Sequence, residues 1–349
     1  MEGAANQDEL NCLHLPCSLY IYLFFELTGI VNKLKATSSP LDPVPPRFFK
    51  QVWATLRTSV TEIINSSLSS GVVPTFCKEA VVEPLLKKPG LDPTCLANYR
   101  PISKLPLVSK ILEKCVTAQL QPFLDDGGIL DTFQSGYKAF HSTESALLKV
   151  FNDLYLTTDS GNSAILVLLD LTAAFDTVDH TTLLNRLEHC VGVRGTALNW
   201  FKSYLSGRSF TVRLGDSTSS STPLLSGVPQ GSILGPVLFS LCLLPLAEIF
   251  KKHGLSYNFY ADDCQLYMPI VKNNGSSPLT PLLNCLGDVK DWLAQNFLKL
   301  NEEKTEVMIF GPKANLDLEP VQHHVRPTVT NLGVIVDSDF KFDKQINGV

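Results

Sequence analysis

The sequence has no Cys-x-x-Cys pair and no histidines at zinc-ligand spacing, which removes structural zinc from consideration. It has no excess of positive charge. Its 29 Lys and Arg stand against 34 Asp and Glu, a formal net charge of −5, so any contact with a polyanion must be local rather than a property of the whole surface. There is no internal repeat and no low-complexity segment, and solenoid, coiled-coil and collagen-like classes are excluded. Long unbroken apolar runs are also missing. The stretch Cys12–Val31 is mostly apolar but contains His14, Pro16 and Glu26, and its uninterrupted core is only Leu19–Phe25. Acids rather than bases precede it (Glu2, Asp8, Glu9), against the pattern of a secretory leader. It reads as an N-terminal extension or buried helix, and no stable membrane association is expected.

What is present is an ordinary globular composition, 44% apolar over 349 residues, enough to bury a sizeable core. The nine cysteines are scattered through apolar stretches, as free thiols are in a reducing compartment, so cytosol or nucleus is expected. Apolar spacings of three and four predict helices over Phe49–Leu68 (closed by Gly71 and Pro74), Val108–Cys115, Ala146–Leu154, around Leu183–Leu187 and Leu198–Leu205, and over Leu282–Phe297. Ala164–Leu169 is a short apolar run ending in Asp170, the pattern of a strand buried on both faces with a carboxylate at its end. Ser209–Leu214 alternates as a half-exposed strand, and Tyr257–Ile270 reads as strand, tight turn, strand, with Ala261, Asp262 and Asp263 at the turn. Val307–Phe310 and Leu332–Val336 are two further short strands. With no long linker between residues 75 and 340, the pattern is that of one α+β unit.

If the strand ending at Asp170 pairs with the hairpin carrying Asp262 and Asp263, three carboxylates converge. Two like charges about 4 Å apart repel by roughly 4 kcal/mol at an effective dielectric of 20, so such a cluster calls for a cation. All-oxygen ligands select a hard divalent ion such as Mg²⁺, whose remaining positions suit waters and phosphates.

The segments Asn98-Tyr99-Arg100-Pro101-Ile102-Ser103, Gln134-Ser135-Gly136-Tyr137, His141-Ser142-Thr143-Glu144, Leu169-Asp170-Leu171 through Phe175-Asp176-Thr177-Val178-Asp179-His180, Gly227 to Pro236, and Tyr260-Ala261-Asp262-Asp263 occur in the order found in non-LTR retrotransposon polymerases. From about Val31 to Asn347 the chain resembles that family of reverse transcriptases, most closely the vertebrate LINE elements of the L2, CR1 and Rex type. The resemblance implies a right-hand polymerase palm and fingers, an antiparallel palm sheet packed on helices with the thumb largely missing. It implies that Asp170, Asp262 and Asp263 hold two Mg²⁺ ions and transfer nucleotides from dNTPs to a DNA primer 3′-hydroxyl on an RNA template. Phe175 then crowds the sugar 2′ position, and Gln230 and Gly231 lie against the incoming nucleotide. Arg100 and Lys138 contact the triphosphate, although the family usually has Arg at the second position and Lys lacks the bidentate fork. Lys304 corresponds to a general acid near pyrophosphate, and Leu332-Gly333-Val334 to a hairpin holding the primer end.

The expected organisation is an unassigned extension over 1–30, a helical segment over 31–75, and fingers and palm over 76–349 with a core of about 84–336. The family's upstream endonuclease and downstream helical thumb do not fit in the sequence. Across the expected fingers, Lys78, Lys87, Lys88, Arg100, Lys104, Lys110 and Lys114 outnumber Glu79, Glu83, Asp92 and Glu113, either as a phosphate-tracking surface or as a plain solvated face. Asp179-His180 reads as a helix start rather than a further catalytic acid. Two alternatives share these residues: a noncatalytic remnant that at most binds nucleic acid, and an RNA-templated RNA polymerase or intron maturase.

Overall fold

The computed structural model of the chain describes residues 17–35, 37–271, 277–312 and 318–347. The first part of the N-terminal extension, residues 1–16, lies outside them. In chain order the elements begin α1 (Phe24–Lys33), α2 (Pro46–Gln51), α3 (Trp53–Ser70), β1 (Glu79–Leu86), β2 (Tyr99–Lys104), α4 (Leu107–Asp126), α5 (Thr143–Asp159) and β3 (Ser163–Leu169). They continue through α6 (His180–Arg186), α7 (Gly195–Leu205), β4 (Arg208–Leu214), β5 (Ser217–Thr218), β6 (Thr222–Leu224), α8 (Gly235–Cys242) and α9 (Leu246–Lys252). The last are β7 (Ser256–Tyr260), β8 (Asp263–Ile270), α10 (Thr280–Gln295), β9 (Glu306–Phe310), β10 (Thr328–Asn331), β11 (Val334–Asp337) and α11 (Asp343–Asn347). They gather into two compact units, one from Met1–Ile129 and Val178–Leu241, the other from Leu130–Thr177 and Cys242–Val349.

The first unit holds a sheet in the order β2-β1-β4-β5, with β6 also on β4. β1 and β2 are strands that apolar periodicity does not announce, because each contains a proline, which ordinarily argues against a strand. Their register sets Pro84 opposite Pro101, so the two residues without an N–H face each other and leave neighbouring donors free to pair. Helix α3 buries Trp53, Val60, Ile64 and Leu68, the expected face, and ends at Gly71 in a left-handed conformation (φ 70°). A Cβ there would stand 2.8 Å from the Thr196 carbonyl oxygen, so both the turn and the packing demand glycine. Asp179 caps α6 by accepting from the Thr182 N–H at 2.7 Å, the helix start that its sequence position suggests.

Of the N-terminal apolar run, residues 17–23 form no helix and Phe24–Val31 lie in α1; Tyr22 is clasped by Asn65 and by the Cys115 carbonyl, and Ile21, Phe24 and Phe25 remain exposed while Leu27 and Val31 are buried. No helix of the described residues is long and apolar enough to cross a membrane.

Glu113 also departs from its sequence reading. It is not an exposed acid of a charged face but a core residue of α4, 1% exposed. Its Oε2 accepts the backbone N–H groups of Ile233 at 2.6 Å and Leu234 at 3.2 Å, fastening the Gly-Pro loop where α8 begins. Burial pushes its carboxyl up, and the buried Arg208 guanidinium and the two N–H groups oppose that shift. On the surface, Glu83 and Lys104 pair with each other, which further thins the presumed basic face.

The second unit is built on an antiparallel sheet in the order β7-β8-β3-β9. β3 lies centrally and is covered on both sides, as its apolar run requires. One face packs against α5 and the β10–β11 hairpin around Leu166, Tyr267, Met308 and Phe310. Val167, Leu169 and Val307 turn to the other face, where α10 supplies Leu283 and Leu286. Leu332 and Gly333, both at positive φ, form the turn of β10–β11 rather than the start of a strand.

Candidate active site

The ladder between β3 and β8 ends with Leu169 opposite Cys264, so Asp170 leaves the sheet beside Asp263. On the other side of β8, Tyr260 pairs with Asp263, which leaves Ala261 and Asp262 as a two-residue turn. The three sequence-predicted acids therefore meet at one end of this sheet. Asp263 opens to solvent on one side and is crowded on the other. Burial, then the charges of Asp262 and Asp170, push its carboxyl up to about 6.

Asp170 is held from the segment before β9. The Asn301 N–H donates to its carbonyl at 2.8 Å, and Asn301 Nδ2 donates to its Oδ2 at 3.0 Å. Lys304 Nζ stands 3.5 Å from the same Oδ2, a cation against the carboxylate cluster. Lys304 is thus placed with the acids, while Asn301, whose contact is as direct, carries no signal in sequence beyond its adjacency.

The turn itself is braced by the Gln134-Ser135-Gly136-Tyr137 segment, whose motif carries the resemblance without indicating this contact. Gln134 is buried, and its Oε1 accepts from Ala261 N–H at 3.2 Å and from Gly136 N–H at 2.8 Å. Ser135 N–H donates to the Phe259 carbonyl and Phe259 N–H to the Phe133 carbonyl, both at 2.8 Å, so residues 133–135 run alongside β7. A Cβ at Gly136 would lie 2.2 Å from the Ala261 nitrogen. Ala261 has φ 60°, a left-handed conformation costly for alanine that this bracing maintains. Tyr137, also left-handed (φ 58°), has its hydroxyl pKa raised by burial and by Asp262.

A cavity of about 370 Å³ adjoins the acids, lined among others by Asp170, Asp263, Glu303, Lys304 and Leu332. The donor set fits a hard divalent cation: carboxylate oxygens only, mutually repelling, and with room beside them for further oxygen ligands. Among the described residues, no group of three or more His, Cys, Asp or Glu side chains is placed so that it could hold a metal ion as it stands.

The other candidates divide between the units. Phe175, half-buried, lies in the turn after Asp170, and Lys138 follows Tyr137 in the second unit. Arg100, Gln230 and Gly231 belong to the first unit. There Ser103 N–H donates to the Gln230 carbonyl at 2.7 Å, and Gly231 (φ 110°) passes so close to β2 that a Cβ would meet the Ser103 carbonyl oxygen at 2.7 Å. This loop is thereby fixed three residues from Arg100.

An antiparallel sheet carrying strand-end and hairpin carboxylates, with a helix-backed hairpin beside them, defines a right-hand polymerase fold. The family profile for reverse transcriptase (RNA-dependent DNA polymerase) matches residues 86–336. The RNA-directed DNA polymerase from mobile element jockey of Drosophila melanogaster is 29% identical over 300 residues, covering 82% of this chain and 32% of that protein. The probable RNA-directed DNA polymerase from transposon BS, from the same organism, is 26% identical, covering 96% of this chain and 38% of that protein. Among solved structures, an apo telomerase from Candida tropicalis, truncated from its C-terminal domain, aligns with a TM-score of 0.52 at 14% identity, over 84% of this chain and 60% of that one. The chain belongs to the reverse transcriptase family and is of the non-LTR retrotransposon type. It spans about a third of the length of the curated relatives it matches.

Proposed function

We propose that this chain is the fingers and palm of an RNA-directed DNA polymerase that extends a DNA primer on an RNA template with dNTPs. The observation that carries the reading is the β3–β8 register, which sets Asp170 beside Asp263 at the hairpin turn, where burial and the charges of Asp262 and Asp170 raise the cost of ionising Asp263. Asp170, Asp262 and Asp263 are the residues that would hold a pair of Mg²⁺ ions. Bound there, the ions would offset the carboxylate repulsion, lower the pKa of the primer hydroxyl and neutralise the triphosphate.

The chain's own residues do the rest. Asn301 fixes Oδ2 of Asp170, a residue that lines the cavity. Gln134 and Gly136 hold the turn so that Asp262 and Asp263 project from a rigid element. Lys304, close to Asp170 and exposed, can follow the leaving pyrophosphate and deliver a proton. Phe175 excludes a 2′-hydroxyl and Lys138 supplies charge for the phosphates of the nucleotide.

Extension of a DNA primer annealed to RNA, with Mg²⁺ and dNTPs, tests the reading. The parent chain extends, and Asp263→Ala lowers the rate by about a thousandfold or more. Extension that survives the substitution refutes the metal assignment. A parent that binds the duplex without extending it supports the nucleic-acid-binding remnant instead.

A further inference from the structure

The proposed chemistry leaves one half-buried cation of the second unit unused. Lys149 lies on α5, where its ammonium donates to the Tyr267 hydroxyl at 2.5 Å and to Asp153 Oδ2 at 3.2 Å. Tyr267 donates in turn to the same Asp153 oxygen at 2.6 Å. The ammonium also stands over the Phe133 ring, 4.2 Å from its centre, within the distance at which a cation is attracted to an aromatic face. Its three hydrogens thus meet three neighbours. Phe133 is fixed from other sides as well: its ring meets Tyr257 edge-on at 5.3 Å, and Asp131 accepts both the Phe133 N–H and the Tyr257 hydroxyl at 2.8 Å. The next residue is Gln134, whose Oε1 accepts from the Ala261 N–H in the turn between β7 and β8. One ring and one peptide therefore separate the ammonium from the brace of the turn that carries Asp262 and Asp263. Packing alone does not call for a cation here. An ammonium taken from water is costly, and methionine of similar volume would fill the space between α5 and β8 without that cost. What methionine lacks is a directed attraction for the face of Phe133.

We propose that Lys149 is a positioning residue for the catalytic turn: oriented by Asp153 and Tyr267, its ammonium holds the Phe133 ring and so keeps Gln134 in register with Ala261, an inference that for its effect on catalysis rests on the polymerase reading above. Ala261 sits at φ 60°, a conformation that alanine does not hold unaided. When Phe133 is free to shift, Gln134 shifts with it, the Ala261 N–H loses its acceptor and the turn relaxes. Asp262 and Asp263 then leave the geometry that the reaction needs, since a carboxylate acts only from a rigid support. Lys149 itself touches neither the acids nor a substrate. Its loss therefore acts on the rate of the chemical step and not on nucleotide binding.

The test compares the parent with Lys149→Met, Lys149→Arg, Phe133→Leu, and the first and third combined. Amide hydrogen exchange of the peptide spanning residues 259–262 comes first, with the Ala261 N–H as reporter. Exchange there quickens by roughly three- to tenfold in Lys149→Met and in Phe133→Leu, and no further in the combined variant, because both changes cut the same link. Lys149→Arg keeps a cation over the ring and stays within about twofold of the parent. In primer extension kcat falls by the same factor, while the KM for dNTP changes by less than about twofold. Should Lys149→Met not fold, Phe133→Leu reads the same link from its other end. Unchanged exchange at Ala261, additive effects in the combined variant, or quickening spread over the whole second unit each overturns the proposal and leaves Lys149 a packing residue. If the parent extends no primer, the polymerase reading falls by itself. The exchange comparison needs no turnover and still decides the clamp.

Discussion

Removing the carboxylate of Glu113 should unfold the first unit more readily than any exposed charge substitution in the chain. Glu113→Ala deletes two charge-assisted bonds, at 2.6 and 3.2 Å, to the N–H groups of Ile233 and Leu234. It also leaves Arg208, 2% exposed, without the opposite charge that faces it. Breaking one partner of a buried charge pair costs about 3–5 kcal/mol, and the two orphaned backbone donors fall within that figure rather than adding to it. Glu113→Gln keeps one acceptor oxygen in place and should cost about 1–3 kcal/mol. Removing both charges, in Glu113→Leu with Arg208→Met, should recover most of the loss, because an apolar pair of similar volume avoids burying ions. Urea unfolding followed by tryptophan fluorescence reads this directly, since the fully buried Trp200 stacks on Tyr204, whose carbonyl receives Arg208 Nη1 at 2.9 Å. A Glu113→Ala chain destabilised by less than about 1 kcal/mol, or a double variant worse than the single one, refutes the network as described. Because Glu113 anchors the loop of Gln230 and Gly231, Glu113→Gln should raise the KM for dNTP more than it lowers kcat.

Gly136→Ala forces a methyl against the Ala261 nitrogen, which is backbone and cannot move aside; a loss of about 2–3 kcal/mol is expected in thermal melts, with extension activity falling further than stability. Phe175→Ala should admit ribonucleotides, raising the ratio of rNTP to dNTP incorporation by about tenfold or more, and an unchanged ratio would remove Phe175 from sugar selection. For the metal-free protein, Asp263 gives a stability slope of definite sign. Its folded pKa of about 6 lies above the ordinary 3.8, so the folded state holds the extra proton between those values. That stabilisation is complete below 3.8 and is lost as pH rises through about 6, by about 1 kcal/mol once solvent screening of this partly open group is counted. Melting at pH 4.5 and 7.5 checks it; added Mg²⁺ should reverse the sign, because the ion competes with the proton.

Local pattern alone determined a great deal. The helices of α3, α5, α7 and α10, the doubly buried β3 and the β7–β8 hairpin follow from periods of 3.6 and 2, which depend only on which residues seek the core. The acids Asp170, Asp262 and Asp263 were legible because a carboxylate at the end of a buried strand, and a pair of them at an apolar turn, contradict the surrounding hydrophobicity. The tertiary structure decided what depends on neighbours distant in sequence. β1 and β2 exist as strands because Pro84 faces Pro101, a pairing that neither segment announces alone. The chain passes between its two units at residues 129–130, 177–178 and 241–242, where no linker composition marks a boundary. Glu113 is a charge by composition and a core residue by position, since only the folded loop supplies the N–H groups that make its burial tolerable. Gln134 and Gly136 stand in a family motif that says nothing of what they touch, and Asn301 and Gln265 are ordinary letters in a row. They became part of a site when folding set each beside an acid or its turn, because hydrogen bonds and steric limits act through space, whereas the periodic signals of sequence act only along the chain.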